Sequence, residues 1–566
     1  MLAITLNPGF VLIFSALILF VTPGQFRLPV IVASCAMALF LLLDRNFGAA
    51  GAVAQFGLPV VLLNLDALNQ VFGIAFIVAA LLIAIYASVR RHAFEDSAIL
   101  LLAGGAVSAL FVGDMISFVA AAELAGLAAV WTVFASPLRH SSESGARLMI
   151  WCGLEGLLFL IGVAFHLSAG GANTLSTHLE LMAPGGGFIF AALLIRAGAP
   201  GAHVWLKDSL SHASPAGSAA VAVFSPMLGI YGLARLFPET PLLLPIGEAM
   251  MVLGAVLAVG EDDMRRASAY ALTAQIGLCL ALLGVPSPLA QADVSAHAFA
   301  TIFAFVLLLM AQGMVLMRTG EARLSLAFGL GRRVPATATF LLFAGLTVVG
   351  APLLAPYASL TLALEASDKW ETRWLWVLTQ GVAAALAAPL LFRLWATVFR
   401  RTDAPSTATE APFIMLLGAG LAAFFCLAIG LAPGWLYHLT PATTLDFSPY
   451  VASRVAAQLE LLGCAGAGFC LVALLRLTPT ERGVRQLDFD ALYRGPLVDA
   501  GRWVGALTLR VFNGWQALWR GVWARAGALF ERWTAACDQP YVVRYASVAQ
   551  FAAIAALLAI ILFARA

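Results

Sequence analysis

Apolar runs long enough to cross about 30 Å of hydrocarbon recur along almost the whole chain, and they predict an all-α polytopic membrane protein. The count gives about 16 spans, near 8–23, 28–44, 66–88, 97–113, 115–136, 147–168, 187–206, 216–237, 242–260, 267–285, 294–317, 336–366, 375–398, 412–436, 454–476 and 543–564. The shorter run 48–64 is expected to be a re-entrant or interfacial piece. No basic stretch precedes the first run, Phe10 to Val21, so it reads as a first span rather than a signal peptide. Loops after odd-numbered spans carry Arg90, Arg91, Arg139, Arg265, Arg266, Arg318, Arg400 and Arg401; those after even-numbered spans carry little beyond Arg45, Lys369 and Arg373. The positive-inside rule then turns the arginine-rich loops to the cytoplasm and both termini outward, in a bacterial inner membrane.

Polar residues break this pattern at informative places. Between Phe188 and Phe237, Arg196, His203, Asp208 and His212 stand among apolar neighbours, and Pro200 between two glycines interrupts the backbone. Irregular backbone at membrane depth survives only against protein or a cavity, and ionisable groups there usually mark an ion path. The element Gly198-Ala199-Pro200 returns as Gly350-Ala351-Pro352 inside a later span, a pointer to two repeated halves with broken helices. Beyond the polar loop 478–490, Trp515, Trp519 and Trp523 recur every four residues, interleaved with Arg510, Arg520, Arg525 and Arg532. That stretch predicts a lateral amphipathic helix of roughly 60 Å along the cytoplasmic membrane surface. A terminal transmembrane anchor, 543–564, follows it.

Composition agrees with the pattern. The chain of 566 residues is 62% hydrophobic and 11% charged, against about 45–50% apolar residues in soluble domains; its mean hydropathy is +0.94. A net charge of +2 gives no reason to expect nucleic acid. The seven cysteines lie mostly in apolar runs without metal or CxxC spacing. No nucleotide, haem, iron–sulfur or nucleophile motif is found, so no metal, no cofactor and no covalent chemistry is expected of this chain.

Several motifs together resemble one family. His203-Val-Trp-Leu-Lys-Asp208, Ala213-Ser-Pro-Ala-Gly-Ser218, Gly229 to Arg235, Asp263 to Gly277, Ala296-His297-Ala298-Phe299 and Gly329 to Pro335 look like the signatures of antiporter-like membrane subunits. These occur in respiratory complex I, membrane-bound hydrogenases and Mrp-type cation/proton antiporters. Leu487 to Arg494 is similar to the segment that follows the bundle in relatives of the D-type Mrp antiporter protein. The resemblance covers about residues 60–495 and implies a 14-helix core with two inverted five-helix repeats. The organisation expected is 1–95 N-terminal helices, 97–237 and 242–400 the two repeats, 412–476 C-terminal core helices, 494–536 the lateral helix and 543–564 the anchor.

The resemblance also implies a row of titratable groups, usually lysines, whose buried ammonium gives up its proton readily. This chain departs from that row. It has only two lysines, Lys207 and Lys369, and neither falls on a relay position of the family. Arg196 replaces the broken-helix lysine, while Met227, Thr301 and Leu360 stand at three further positions that carry lysine or glutamate in relatives. Arginine holds its proton and can act as an electrostatic switch only. Glu123 matches the family's acidic residue, with Arg196 its expected partner within about 4–6 Å. Glu155, His203, His297 and Glu365 complete the candidate proton path, each against the plainer alternative of a packing hydrogen bond or a structural ion pair. Asp208 and His212 are expected to be solvated near the cytoplasmic mouth.

The function expected is a proton-translocating subunit of a multisubunit cation/proton antiporter, similar to the D-type protein of Mrp assemblies. Its partners would be other membrane subunits, lipids, protons and Na+ or K+. Two alternatives stay open: a degenerate scaffold paralogue that conducts nothing, and the membrane subunit of a complex I-like, hydrogenase-like or inorganic-carbon uptake assembly.

Overall fold

A computed structural model describes residues 6–44, 46–55, 58–90, 92–175, 178–327, 329–368, 372–400, 409–441, 447–475, 488–489 and 496–536. Contacts divide the chain into residues 1–486 and 487–566. The first unit opens with helices α1 (Pro8–Leu19) and α2 (Gly24–Leu43), strands β1 (Gly48–Gln55) and β2 (Leu58–Leu65), then α3 (Ala67–Ala87) and α4 (Ala93–Phe111). It continues through α5 (Met115–Phe134), α6 (Ser141–Ser168), α7 (Gly186–Ala197), α8 (Val204–His212), α9 (Pro215–Leu236), α10 (Leu243–Gly260), α11 (Met264–Leu283) and α12 (Pro288–Thr319). Then come the one-turn α13 (Leu330–Arg333), α14 (Pro335–Val348), α15 (Ala355–Ala366), α16 (Arg373–Ala387), a π-helical turn at Ala388–Phe392, α17 (Arg393–Phe399), α18 (Phe413–Leu431), α19 (Pro433–Leu439) and α20 (Ala452–Leu474). The second unit contains α21 (Pro496–Ala536), one continuous helix of 41 residues, in which Trp515 and Trp519 lie 5.7 Å apart ring to ring.

The fold is that of a polytopic all-α membrane protein. Among the described residues, twelve helices are long and apolar enough to cross a membrane. The short α1 and the two interrupted pairs, α7–α8 and α14–α15, occupy the other expected spans among the described residues. The expected anchor 543–564 lies outside those residues, as do Lys369 and most of the 487–494 motif.

Residues 48–65 form an antiparallel β-hairpin, with Gly48 opposite Leu65 and Gln55 opposite Leu58. Its β2 edge is tied to the ends of the bundle. Val61 N donates to Asp114 Oδ2 (2.8 Å), Gly113 N to Val61 O (2.8 Å), Asn173 Nδ2 to Pro59 O (3.0 Å) and Asn7 Nδ2 to Leu62 O (3.1 Å). An apolar run of small residues satisfies its backbone by pairing rather than by helix formation.

Both interruptions use glycine in the left-handed region, where a side chain would be strained. In the first, Gly198 (φ +76°) ends α7 while Ala199 N donates to Leu194 O (2.9 Å), and Gly201 (φ +90°) leads into α8. In the second, Gly350 (φ +71°) follows α14, and Leu353 (φ +73°) precedes α15. Each break frees carbonyls that side chains recover. Trp205 Nε1 donates to Ile195 O (2.9 Å), and Gln458 Nε2 on α20 donates to Val349 O (3.3 Å) and Gly350 O (2.9 Å).

The start of α14 is capped from a distance by Glu410, whose carboxylate accepts from Ala336 N (2.9 Å), Thr337 N (3.2 Å) and the Thr337 hydroxyl (2.5 Å). Partial burial raises the carboxyl pKa, but the Thr337 hydroxyl and the amides of Ala411, Ala336 and Thr337 outweigh it, and the net shift is downward. A depressed folded pKa gives stability that is present above the unfolded value of about 4.3 and lost as pH falls through the folded value. Glu410→Gln therefore lowers the melting temperature at pH 7, and the gap to the unmodified chain narrows below about pH 4. Thermal unfolding in detergent across pH checks this; a gap that widens in acid would refute the cap. Asp114 makes a second test. Its carboxylate caps α5 through Ser117 N (2.9 Å) and holds Val61 N of the hairpin, so Asp114→Ala should cost about 1–3 kcal/mol.

Candidate functional site: a buried arginine between two carboxylates

Arg196 occupies the last turn of α7, immediately before the first break, and is 4% exposed. The C-terminal end of a helix carries partial negative charge, which suits a guanidinium there. Its Nε donates to Glu155 Oε1 on α6 at 2.6 Å, and one terminal nitrogen donates to Ala122 O at 3.0 Å and reaches Glu123 Oε1 on α5 at 3.5 Å. Small residues admit the group: Gly126 faces the guanidinium, and a Cβ at Gly156 would collide with the Glu123 carboxyl. Beside it lies a cavity of about 20 Å³ lined by Cys152, Glu155, Arg196, Trp205 and Ser225, room for about one water.

The arrangement differs from the sequence expectation in its proportions. Glu123 does lie within reach of Arg196, but its side chain is 28% exposed, whereas Glu155 is 4% exposed and makes the shorter contact. Glu155 is thus a direct partner of Arg196. One guanidinium against two carboxylates leaves one negative charge in excess, so the trio is neutral when it holds a single proton. A charge count of that kind suits a site that takes up and releases a proton while Arg196 stays charged.

The next polar groups sit where α8 meets α11. His203 is buried with its ring 6.3 Å from that of Tyr270, and the Lys207 ammonium stands 6.0 Å from the same ring. Lys207 lies off the family's relay positions, yet the fold buries it at this junction. Asp208 is also buried, paired with Arg147 at 2.6 Å, which corrects its expected solvation: α8 turns it against α6. His212 is half-buried and contacts Asp208 O through Nδ1 (2.9 Å).

Further along α11, Gln275 Oε1 lies 3.0 Å from His297 Nε2, and His297 Nδ1 lies 2.9 Å from Ser359 Oγ on α15. A second cavity of about 20 Å³ adjoins them, lined by Gln275, His297, Gly350, Leu360 and Thr379 among others. Leu360 therefore lines a water-sized space, while Met227 and Thr301 are buried in packing. Glu365 is not brought to His297. It lies at the far end of α15, about 9 Å along the helix from Ser359, with a half-exposed side chain paired to Arg454 (2.7 Å). Sequence reasoning also missed Asp293, one helical turn before His297 and 0% exposed. Its signal was an acid four residues before the histidine within an apolar run.

With that geometry in place, comparison with known proteins shows what the chain is similar to. Residues 112–386 match the family described as NADH:quinone oxidoreductase/Mrp antiporter, transmembrane. It is 28% identical over 371 residues to an uncharacterized protein of Mycobacterium tuberculosis, covering 57% of this chain and 56% of that one, so it spans little more than half of that relative. It is 26% identical over 424 residues to F(420)H(2) dehydrogenase subunit N of Methanosarcina mazei, covering 66% of this chain and 84% of that one. Among solved structures, the fold is similar to a chain of the Mrp complex from Dietzia sp. (TM-score 0.73, 21% identity, 88% of this chain and 60% of that one). It is similar too to a chain of respiratory complex I from Thermus thermophilus (TM-score 0.67, 21% identity, 81% and 99%).

Glu155→Gln leaves Arg196 with only the longer contact to the partly exposed Glu123, whereas Glu123→Gln leaves the short buried contact to Glu155 in place. Glu155→Gln should thus destabilise the detergent-solubilised protein clearly more than Glu123→Gln. Equal losses in thermal unfolding would contradict the unequal pairing.

Proposed function

We propose that this chain is the proton-translocating antiporter-like subunit of a multisubunit cation/proton antiporter of the Mrp type. It sits in a bacterial inner membrane beside other membrane subunits, with both termini outward and its lateral helix α21 along the cytoplasmic surface. The reaction is ion movement without covalent chemistry. The observation that carries this reading is the Glu123–Arg196–Glu155 trio at a broken helix. A fixed cation with two acids can switch a proton on and off, and the cavity beside it has room for a water. From there polar groups continue through His203, Lys207 and Tyr270 to Gln275 and His297.

The scaffold reading draws on a different observation. Met227 and Thr301 are packed tightly where relatives carry lysine, and they offer no proton acceptor of their own class. The test is proton flux in vesicles reconstituted with the purified assembly. Glu155→Gln and Glu123→Gln should each lower cation-coupled flux by about two orders of magnitude or more, as expected for loss of a positioned proton carrier. His297→Ala should also lower it. Full flux in all three variants, with losses confined to sister-subunit mutants, would make this chain the scaffold.

A further inference from the structure

Asp293 is a buried ionisable group that the proposed path leaves unused, and its surroundings are unusual. It lies on α12 with 0% exposure, and neither carboxyl oxygen has a hydrogen-bond partner among the described residues. A structural aspartate is normally bonded or paired, because burying a carboxylate alone costs several kcal/mol. Nor does it cap its helix. Asp293 is the sixth residue of α12, beyond the first turn in which an acid favours the N-terminus.

Its position links two features already described. Asp293 and His297 are i and i+4 on one helix, hence on one face with Cβ atoms about 5–6 Å apart. His297 bonds Ser359 on α15, and the neighbouring Ala358 O accepts from the Tyr437 hydroxyl of α19 (2.9 Å). The titratable groups near Asp293 on the elements packed against α12 are Cys279 of α11 and Tyr437 of α19, both close enough to feel its charge; neither is cationic. From Tyr437 the groups run outward. Its ring is 5.9 Å from that of Phe447, Arg454 lies over Phe447 at 4.5 Å, and Arg454 pairs with the half-exposed Glu365. The start of α12, the end of α15, the end of α19 and the start of α20 therefore share one end of the bundle.

We propose that Asp293 is the proton carrier between His297 and that end of the bundle, taking the place of the family positions now held by Thr301 and Leu360. This rests on the proton-translocating reading above. In each cycle the O–H bond of the Asp293 carboxyl breaks as its proton passes to water beyond Tyr437. A new O–H bond forms as His297 releases a proton from one ring nitrogen, directly or through one water, while its other ring nitrogen takes up a proton through the cavity it shares with Gln275, so the imidazole is neutral before and after. The carboxyl returns to its starting form and no electrons move. With no counter-ion beside it, Asp293 holds its proton until water reaches it, which keeps this end closed at rest.

The test uses the purified assembly in vesicles, with dicyclohexylcarbodiimide as the probe, since this reagent adds to protonated carboxyls in apolar surroundings. Asp293→Asn should lower coupled proton flux about a hundredfold without loss of assembly, and Asp293→Glu should keep it within about threefold, as general acid–base roles predict. The carbodiimide should label Asp293, read by peptide mass spectrometry, and inhibit the unmodified assembly. Full flux in Asp293→Asn, or an unlabelled Asp293 in the intact assembly, would overturn the assignment, and the labelling result decides even where the Asn variant does not assemble. Glu155→Gln separates this inference from the broader one. If Glu155→Gln abolishes flux and Asp293→Asn does not, only the Asp293 role falls; if neither lowers it, the conducting role of the chain falls as well.

Discussion

An interrupted helix in an apolar interior leaves backbone carbonyls and amides without partners, and much of this bundle follows from how that cost is met. At the first break the freed carbonyls belong to the end of α7, where Arg196 also sits. Trp205 recovers one of them, and the guanidinium adds a full positive charge beside the negative end of the helix. The charge then needs anions, supplied by Glu155 and Glu123 from α6 and α5. Backbone geometry and charge placement are one arrangement here: without the break, the arginine would lie along a continuous helix with no such end to sit on. At the second break the same backbone problem is solved by a neutral side chain, Gln458.

That contrast divides the interior into two chemical regimes. Beside the first break stands a fixed cation with two acids. Around His297 stand the neutral hydrogen-bonding groups Gln275 and Ser359, and one turn away Asp293, whose carboxyl has no hydrogen-bond partner among the described residues. A guanidinium does not release its proton, so under the conducting reading any exchange at the trio falls to the carboxylates, and Arg196 sets only their electrostatic environment.

The elements legible in the sequence were those with a local signal. Apolar runs located the helices, and Gly-Ala-Pro within two of them located the breaks, because glycine and proline act on their own backbone. The hairpin at 48–65 was missed because its run is apolar in the same way as a helix, and its pairing partners, Asp114 and Asn173, are distant in sequence. Glu155 stands out as an unusual acid, yet its contact with Arg196 depends on how α6 packs against α7, which periodicity does not specify. Lys207 and Asp208 escape sequence reasoning for a related reason. Their motif points to a mouth, and the burial of α8 against α11 and α6 is a tertiary fact.

The absent lysines are read differently once volumes are considered. At Leu360, which the resemblance sets at a lysine or glutamate position, the structure holds a cavity of about 20 Å³ beside His297 and Gln275. A space of that size with polar atoms on its wall takes a water far more readily than an apolar void does. The interior can therefore be dry around Met227 in α9 and wet around Leu360 in α15, so under the conducting reading the two positions do not have one meaning. Under the conducting reading, a neutral imidazole and a transient water replace a resident ammonium. Such a route carries no resident charge, whereas the ion trio beside the first break holds one at all times through Arg196.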